Sequence, residues 1–185
     1  MLVLYLLPWI VNPAVSLTPN GYELAEWTSL HPTVRGANPP LVTSLLLRLP
    51  LVCIPLLVVF STRRGVFPAL ILLIVSAGLL PPSLLQATSD PNSSQQAGLV
   101  IATVVIGALG FSGFLRDAHR WIAVGIALVG GIACVFGLAQ GVDLMRGFNL
   151  PAQIGLGGAA LAAVFGIATA GYAYTAATRK QTGQR

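Results

Sequence analysis

The sequence predicts an all-α membrane protein, a polytopic bundle of six transmembrane helices with both termini in the cytoplasm. Three observations lead to this prediction. The chain of 185 residues is 55% apolar and only 8% charged, with a mean hydropathy of +0.82, whereas soluble domains carry about 25% charged residues. Long apolar runs follow one another with short connections. Basic and acidic residues fall in alternate connections, as in proteins with a fixed membrane topology.

The first predicted helix is the shortest. The segment MLVLYLLPWIVNPAV, residues 1–15, would reach only about 22 Å as a helix, and Pro8 interrupts it. The segment lacks the basic start of a signal peptide, so we predict a short, uncleaved transmembrane helix. A sequence that begins downstream of the natural start would explain the shortness equally well.

The other five helices are each long enough to cross an apolar layer of about 30 Å. We place them at residues 41–61, 66–86, 97–115, 121–140 and 154–177. Residues 16–40 form the longest external loop. Because the helices and their connections nearly use up the chain, residues 1–185 are predicted to form a single integral membrane domain.

The distribution of charge predicts the orientation. Seven of the ten Lys and Arg residues fall in one set of connections, namely Arg63, Arg64, Arg116, Arg120, Arg179, Lys180 and Arg185. The alternate set carries Glu23, Glu26, Asp90 and Asp143, with Arg35 and Arg146 as its cations. Basic connections are retained in the cytoplasm. The net charge of +5 therefore reflects topology, with lipids as partners and no nucleic acid.

The external loop contains a candidate interfacial helix. In SLTPNGYELAEWTSLHPTVRGANPP, turn-forming residues flank YELAEWTSL, which is long enough for about two turns of helix. Tyr22 and Trp27 would anchor it at the membrane surface, and Trp9 would do the same at the end of the first helix, because amphipathic rings favour the interface.

Arg48 is a permanent charge inside the run LVTSLLLRLPLVCIPLLVVF. Its Cα lies about 10 Å below the outer end of that helix. Pro50 and Pro55 each free a backbone carbonyl one turn earlier, which must be satisfied inside protein. We expect an internal ion pair between Arg48 and Asp143, bridged by Gln140. Snorkelling to lipid phosphate, or contact with a cofactor, quinone or partner subunit, are the alternatives.

Small residues recur at helical spacing in the last two predicted helices. Gly137 and Gly141 form a GxxxG pair, and a ridge repeats every fourth position at Gly158, Ala162, Gly166 and Ala170. Small side chains let helix backbones approach closely, which favours association inside lipid. We therefore expect these residues to be buried against other helices, in this chain or in a partner.

The titratable residues do not form a recognisable catalytic or cofactor site. His31 and His119 lie on opposite sides of the predicted membrane, which excludes bis-histidine haem ligation within the chain. No Asp, Glu, Lys or His lies in the middle of a predicted span, which argues against an ion-coupled transporter. The five carboxylates are spread over four connections, so we predict no enzymatic activity, no cofactor and no metal. Cys53 and Cys134 lie in apolar runs, and we expect them to behave as small apolar side chains.

The opening pattern, LPWI followed by NGYELAEW, resembles small multi-pass bacterial membrane proteins of unassigned function. The resemblance covers about the first 30 residues. It implies a bacterial inner-membrane protein with this loop outside, and it implies no activity.

Two functional classes fit these features. The first is a non-catalytic membrane subunit that stabilises a larger assembly of integral membrane subunits, for which bacterial respiratory or photosynthetic electron-transfer complexes are candidate hosts. The second is a small transporter or channel that acts as an oligomer, with Arg48 as an anion-binding or gating charge. The size of the species extracted in mild detergent would distinguish them.

Overall fold

The computed structural model describes residues 1–13, 16–62, 65–80, 90–112, 115, 118–147 and 150–182. Apart from one pair of two-residue strands, the regular structure in these residues is helical. The helices are α1 Leu2–Leu6, α2 Gly21–Leu30, α3 Pro32–Arg35, α4 Val42–Ser61, α5 Val66–Leu79, α6 Pro91–Ser112, α7 His119–Gly147 and α8 Leu156–Thr182. The strands are β1 Ile10–Val11 and β2 Gln153–Ile154. The chain thus has the all-helical class that its composition predicts.

Among the described residues, four helices are long and apolar enough to cross a membrane, namely α4, α6, α7 and α8. Helix α5 is also apolar but has 14 residues. Helix α7 runs past the predicted end at Gln140 to Gly147, because Val142 and Met145 continue the buried stripe of Leu138 and no proline lies in residues 141–147. Helix α6 begins at Pro91, a favoured residue for the first helical turn.

Some sequence predictions fall outside the described residues. Gln86, Arg63, Arg64, Arg116 and Arg185 lie there. The third helix does not run continuously to Gln86 as predicted, since α5 ends at Leu79 and Leu80 has an extended backbone. The side chains of Arg179 and Lys180 are likewise not described.

The helix predicted over residues 1–15 is wrong. Helix α1 ends at Leu6, just before Pro8, and the chain continues as β1, which pairs antiparallel with β2. Around the strands, Gly155 N donates to Trp9 O at 2.7 Å and Gly157 N donates to Pro8 O at 2.9 Å. Because Pro8 would interrupt a helical ladder, the segment satisfies its backbone groups through these pairings instead.

The start of α8 depends on glycine for this close approach. A Cβ placed at Gly157 would lie 2.6 Å from Leu7 O and 2.8 Å from Leu4 O. A Cβ at Gly155 would collide with the carbonyl of Pro8. Backbone atoms cannot yield to such contacts, so any larger residue would separate the N-terminal segment from α8.

The chain divides into two compact units by its internal contacts. Unit 1 comprises Met1–Leu51 and Val129–Val164, and unit 2 comprises Val52–Leu128 and Phe165–Arg185. Helices α4, α7 and α8 each contribute residues to both. The single integral membrane domain expected from the sequence stays a prediction.

Unit 1 has a core that mixes large apolar and polar side chains. Its fully buried members include Tyr5, Trp9, Ile10, Leu24, Leu47, Arg48, Asn12 and Thr28. Tyr5 and Trp9 meet edge to face, with ring centroids 5.5 Å apart and planes at 75°, a favoured geometry for aromatic pairs.

Unit 2 packs apolar helices around small residues. A Cβ at Gly107 of α6 would clash with Leu72 of α5, and one at Gly110 would clash with Val59 of α4. At one end of the unit, Phe60 packs edge-to-face against His119 at 5.0 Å. There too, Arg120 Nη1 donates to the backbone oxygen of Thr175 at 2.7 Å.

Candidate functional site

The candidate site comprises the residues around Arg48. One of its elements is α2, whose start is fixed by a capping box. The Asn20 side chain accepts hydrogen bonds from Tyr22 N at 2.9 Å and Glu23 N at 3.0 Å, while Asn20 N donates to Glu23 Oε2 at 3.0 Å. This reciprocal capping box fixes where the helix begins. It therefore also fixes the position of Glu26, which lies one turn further along.

Glu26 is the partner of Arg48. Arg48 Nη2 donates to Glu26 Oε1 at 2.7 Å. The Arg48 side chain is fully buried, whereas that of Glu26 is 36% exposed. The carboxylate thus has access to water, while the guanidinium is removed from both water and lipid by protein. A charge in the apolar run of α4 is tolerated because α2 supplies the opposite charge.

The expected pairing of Arg48 with Asp143 is wrong, and so is the bridging role of Gln140. Asp143 is exposed on α7. Gln140 Oε1 instead accepts a hydrogen bond from Thr43 Oγ1 at 2.7 Å. Depths along the apolar runs cannot identify this partner, because Glu26 belongs to residues 16–40, which the sequence predicts to be an external loop.

A second hydrogen bond ties the N-terminal segment to α4 next to Arg48. Tyr5 Oη donates to the backbone oxygen of Leu47 at 3.0 Å, and both residues are buried. Leu47 directly follows Leu46, whose carbonyl loses its helical donor because Pro50 has no N–H. The Tyr5 hydroxyl thus donates to the carbonyl next to the one that Pro50 frees.

The two tyrosines near the ion pair remain neutral phenols. Burial raises the pKa of Tyr5, and the nearby positive charge of Arg48 opposes that shift only in part. Burial also raises the pKa of Tyr22, with a further rise from the Glu26 carboxylate. Tyr5 consequently keeps the proton that it donates to Leu47.

A buried hydroxyl pair joins α2 to α4 on the same side. Thr28 Oγ1 and Ser44 Oγ lie 3.1 Å apart, and Thr28 Oγ1 also donates to Ala25 O at 3.0 Å. Sequence reasoning missed this pair. The available signal was a Thr on the same face of α2 as the buried Leu24, and a Ser on the first turn of α4.

The predicted interfacial anchors differ in their burial. Trp9 is fully buried, because the turn at Pro8 and the pairing of β1 carry its indole into the core of unit 1. It is a core residue and not an interfacial anchor. Tyr22 and Trp27 are half-buried on α2, and their role at the membrane surface stays a prediction.

The small residues predicted to pack helices fall into two groups. In unit 1, a Cβ at Gly137 would lie 3.2 Å from the backbone of Leu46 and Leu47, one at Gly141 would lie 3.1 Å from Leu24 Cδ2, and one at Gly158 would lie 3.0 Å from the Trp9 ring. These three glycines therefore lie at close contacts.

The rest of the ridge on α8 turns away from the packed face. Ala162 is half-buried, and Gly166 and Ala170 are exposed. Within the described residues, no atom lies within 4 Å of a Cβ built on Gly166. A spacing of four residues advances by about 40° more than a full turn, so the ridge winds off the buried side after Gly158. The buried positions are Leu161 and Phe165 instead.

The groups around Arg48 hold the N-terminal segment against α4. A guanidinium–carboxylate pair, a neutral phenol and a hydroxyl pair connect the N-terminal segment to α4. Across the described ranges, no three or more His, Cys, Asp and Glu side chains are grouped so that they could hold a metal ion. Comparisons with protein-family models, curated proteins and solved structures found no match to this chain.

Proposed function

We propose that this protein is a non-catalytic integral membrane subunit that stabilises a larger assembly by packing α8 against a transmembrane helix of another subunit. The observation that carries the proposal is a seam of small residues on the open face of α8. We call it the α8 seam, and its members are Ala159, Ala163, Gly166 and Ala170, all of which are exposed.

The spacing of the α8 seam suits a helix partner. Its residues are separated by four, three and four positions, the alternation that keeps one stripe facing a neighbouring helix in left-handed packing. Lipid tails gain little from small residues, whereas a second helix gains close van der Waals contact along them. A second copy of this chain acting as a transporter or channel is the competing occupant.

The burial of Arg48 favours the subunit over the transporter. An anion-binding or gating charge needs access to a pathway, but Arg48 is fully buried and engaged by Glu26. The pair holds the N-terminal segment on α4, which is a structural role.

The topology that supports this role has five crossings. We infer that α4 to α8 cross the membrane and that residues 1–40 form a cap on the outer side. This arrangement leaves Arg120 and the C-terminal cations in the cytoplasm and Asp90 and Asp143 outside, as the charge distribution requires. The bacterial cytoplasmic membrane, with an electron-transfer complex as host, is the location we propose.

Sizing after mild-detergent extraction tests the functional proposal. The wild-type protein should migrate with larger subunits. Gly166→Leu should migrate alone, because a leucine in the α8 seam blocks close approach. Gly125→Leu is the matched control, since Gly125 is also an exposed helical glycine with no atom of the described residues within 4 Å of its Cβ position. A species built only from 19.2 kDa protomers would instead support the homo-oligomeric alternative.

Labelling of the N-terminal segment tests the topology. Val3 is 72% exposed, and a Val3→Cys variant in which Cys53 and Cys134 are replaced by Ala carries one reactive thiol. An impermeant maleimide should label it from outside intact cells. Labelling only after lysis would place the N-terminus in the cytoplasm and restore an even number of crossings.

A further inference from the structure

An open cavity of about 460 Å³ lies within unit 1, away from the contacts of Arg48. Helix α7 lines one wall with Gln140, Asp143, Leu144 and Gly147. These positions correspond to i, i+3, i+4 and i+7, so they share one face over the last two turns of the helix. The opposite wall comes from the segment that starts at His31 and from the first turn of α4. The volume falls within the range of about 300–1,000 Å³ typical of small-molecule sites.

The electrostatics of the cavity favour a positive ligand. Asp143 is the single residue with a formal negative charge among those that line it, and neither Lys nor Arg is among them. Its carboxylate is exposed and does not pair with Arg48. The end of α7 adds to this potential, because the carbonyl groups of the last turn give a helix C-terminus a partial negative charge. Arg146 lies in that turn but does not line the cavity.

The rest of the lining provides apolar contact and one oriented amide. Val34, Val42 and Leu144 contribute apolar surface. The Gln140 side-chain oxygen is already engaged by Thr43, which directs the NH₂ group of the amide away from Thr43. A ligand with an ammonium group and a compact apolar body would match Asp143 and the apolar lining.

We propose that this cavity is a binding site for an ammonium group, with Asp143 as its counter-ion. The inference is independent of the proposed role as a subunit, because it concerns only residues of unit 1. Two sources share this chemistry. One is a soluble amine, and the other is the headgroup of phosphatidylethanolamine, which the proposed topology would bring to the same level of the membrane.

Calorimetric titration of the protein in nanodiscs of phosphatidylglycerol provides the test, with phenethylamine as the probe and 2-phenylethanol as its neutral analogue. Phenethylamine should bind saturably and 2-phenylethanol should bind at least about tenfold more weakly, the size expected for loss of a charge-assisted hydrogen bond. Asp143→Asn should weaken the binding of phenethylamine by a similar factor. Asp90→Asn, which removes a carboxylate outside the cavity, should leave binding unchanged.

Nanodiscs that also contain phosphatidylethanolamine separate the two sources. A rise in the apparent Kd for phenethylamine identifies the lipid headgroup as a competitor, and an unchanged Kd assigns the site to a soluble amine. Equal binding of the amine and the alcohol, no saturable binding of the amine, or unchanged binding by Asp143→Asn would each overturn the proposal. The melting temperature of Asp143→Asn should equal that of the wild type, which shows that any loss of binding is not a loss of fold.

Discussion

The two units of this protein bury different kinds of side chain. Among the described residues, unit 1 buries six polar or charged side chains, namely Asn12, Thr28, Ser29, Thr43, Ser44 and Arg48, whereas unit 2 buries Ser76, Gln96 and Thr103. The fully buried large residues follow the same division. Most of them belong to unit 1, and Leu79 and Phe165 represent unit 2.

The difference has a physical origin in the N-terminal segment. In unit 1, residues outside the long spans cover α4 and α7 and bring donors and acceptors with them, so polar groups in the spans can be buried with partners. In unit 2, the described helices expose large apolar residues such as Phe67, Leu73, Ile101 and Ile167, which suits lipid or another helix. A charge can be retained in α4 because it lies in the covered part.

The largest expected effect is loss of the charge on Glu26. Glu26→Gln should lower the free energy of unfolding by about 3 kcal/mol or more, because it leaves the buried guanidinium of Arg48 without its counter-charge. Unfolding in detergent, followed by circular dichroism, measures the change. Asp143→Asn serves as the control and should change stability by less than about 0.5 kcal/mol, since Asp143 is exposed. Equal effects of the two substitutions would contradict the assignment of the partner.

Enlarging a glycine of α7 should next distinguish the part of that helix in unit 1 from the part in unit 2. Gly137→Leu should destabilise the protein by about 1–3 kcal/mol, since its Cβ would already press on the backbone of α4. Gly125→Leu should be tolerated, because no described atom lies within 4 Å of that Cβ position. The melting temperatures of the two variants, compared in one detergent, check the difference. A loss of stability in Gly125→Leu as large as that in Gly137→Leu would show that α7 is equally constrained in both units.

A smaller effect is expected from the buried hydroxyls. Thr28→Val should lower stability by about 1 kcal/mol, because it leaves the Ser44 hydroxyl without the partner supplied by α2. Thr103→Val in unit 2 should be nearly neutral, since the Thr103 hydroxyl bonds to Leu99 O within its own helix. Chemical denaturation of both variants measures this. If Thr103→Val proved the more harmful, buried polar groups would not be the particular support of unit 1.

The sequence predicts the long helices well because their signal is local. Apolar runs such as Val42–Ser61 are bounded by polar residues and turn formers. The N-terminal segment is predicted poorly, since the pairing of Ile10 with Ile154 joins residues far apart in the chain. Composition alone cannot distinguish a short transmembrane helix from an apolar segment that folds into the core of unit 1.

The candidate site is likewise predictable from the sequence only in part. Arg48 is identifiable from the sequence, because a charge in an apolar run demands an explanation. Its partner is not identifiable, since Glu26 reaches it only through the folding of α2 onto α4. The winding of the α8 ridge is a matter of helix geometry, and its exposure at Gly166 depends on which face the neighbouring helices cover.

The most direct test of the central claim is the coupling free energy between Arg48 and Glu26 in a double-mutant cycle. Arg48→Met, which keeps the length of the side chain, is combined with Glu26→Gln and, separately, with Asp143→Asn, and unfolding is measured for all variants in one detergent. We expect a coupling of about 2–3 kcal/mol for Arg48 with Glu26, since the double variant leaves no buried charge. Coupling of Arg48 with Asp143 should stay within about 0.5 kcal/mol. Additive effects for Arg48 with Glu26, together with coupling to Asp143, would contradict the claim that the N-terminal segment supplies the counter-charge.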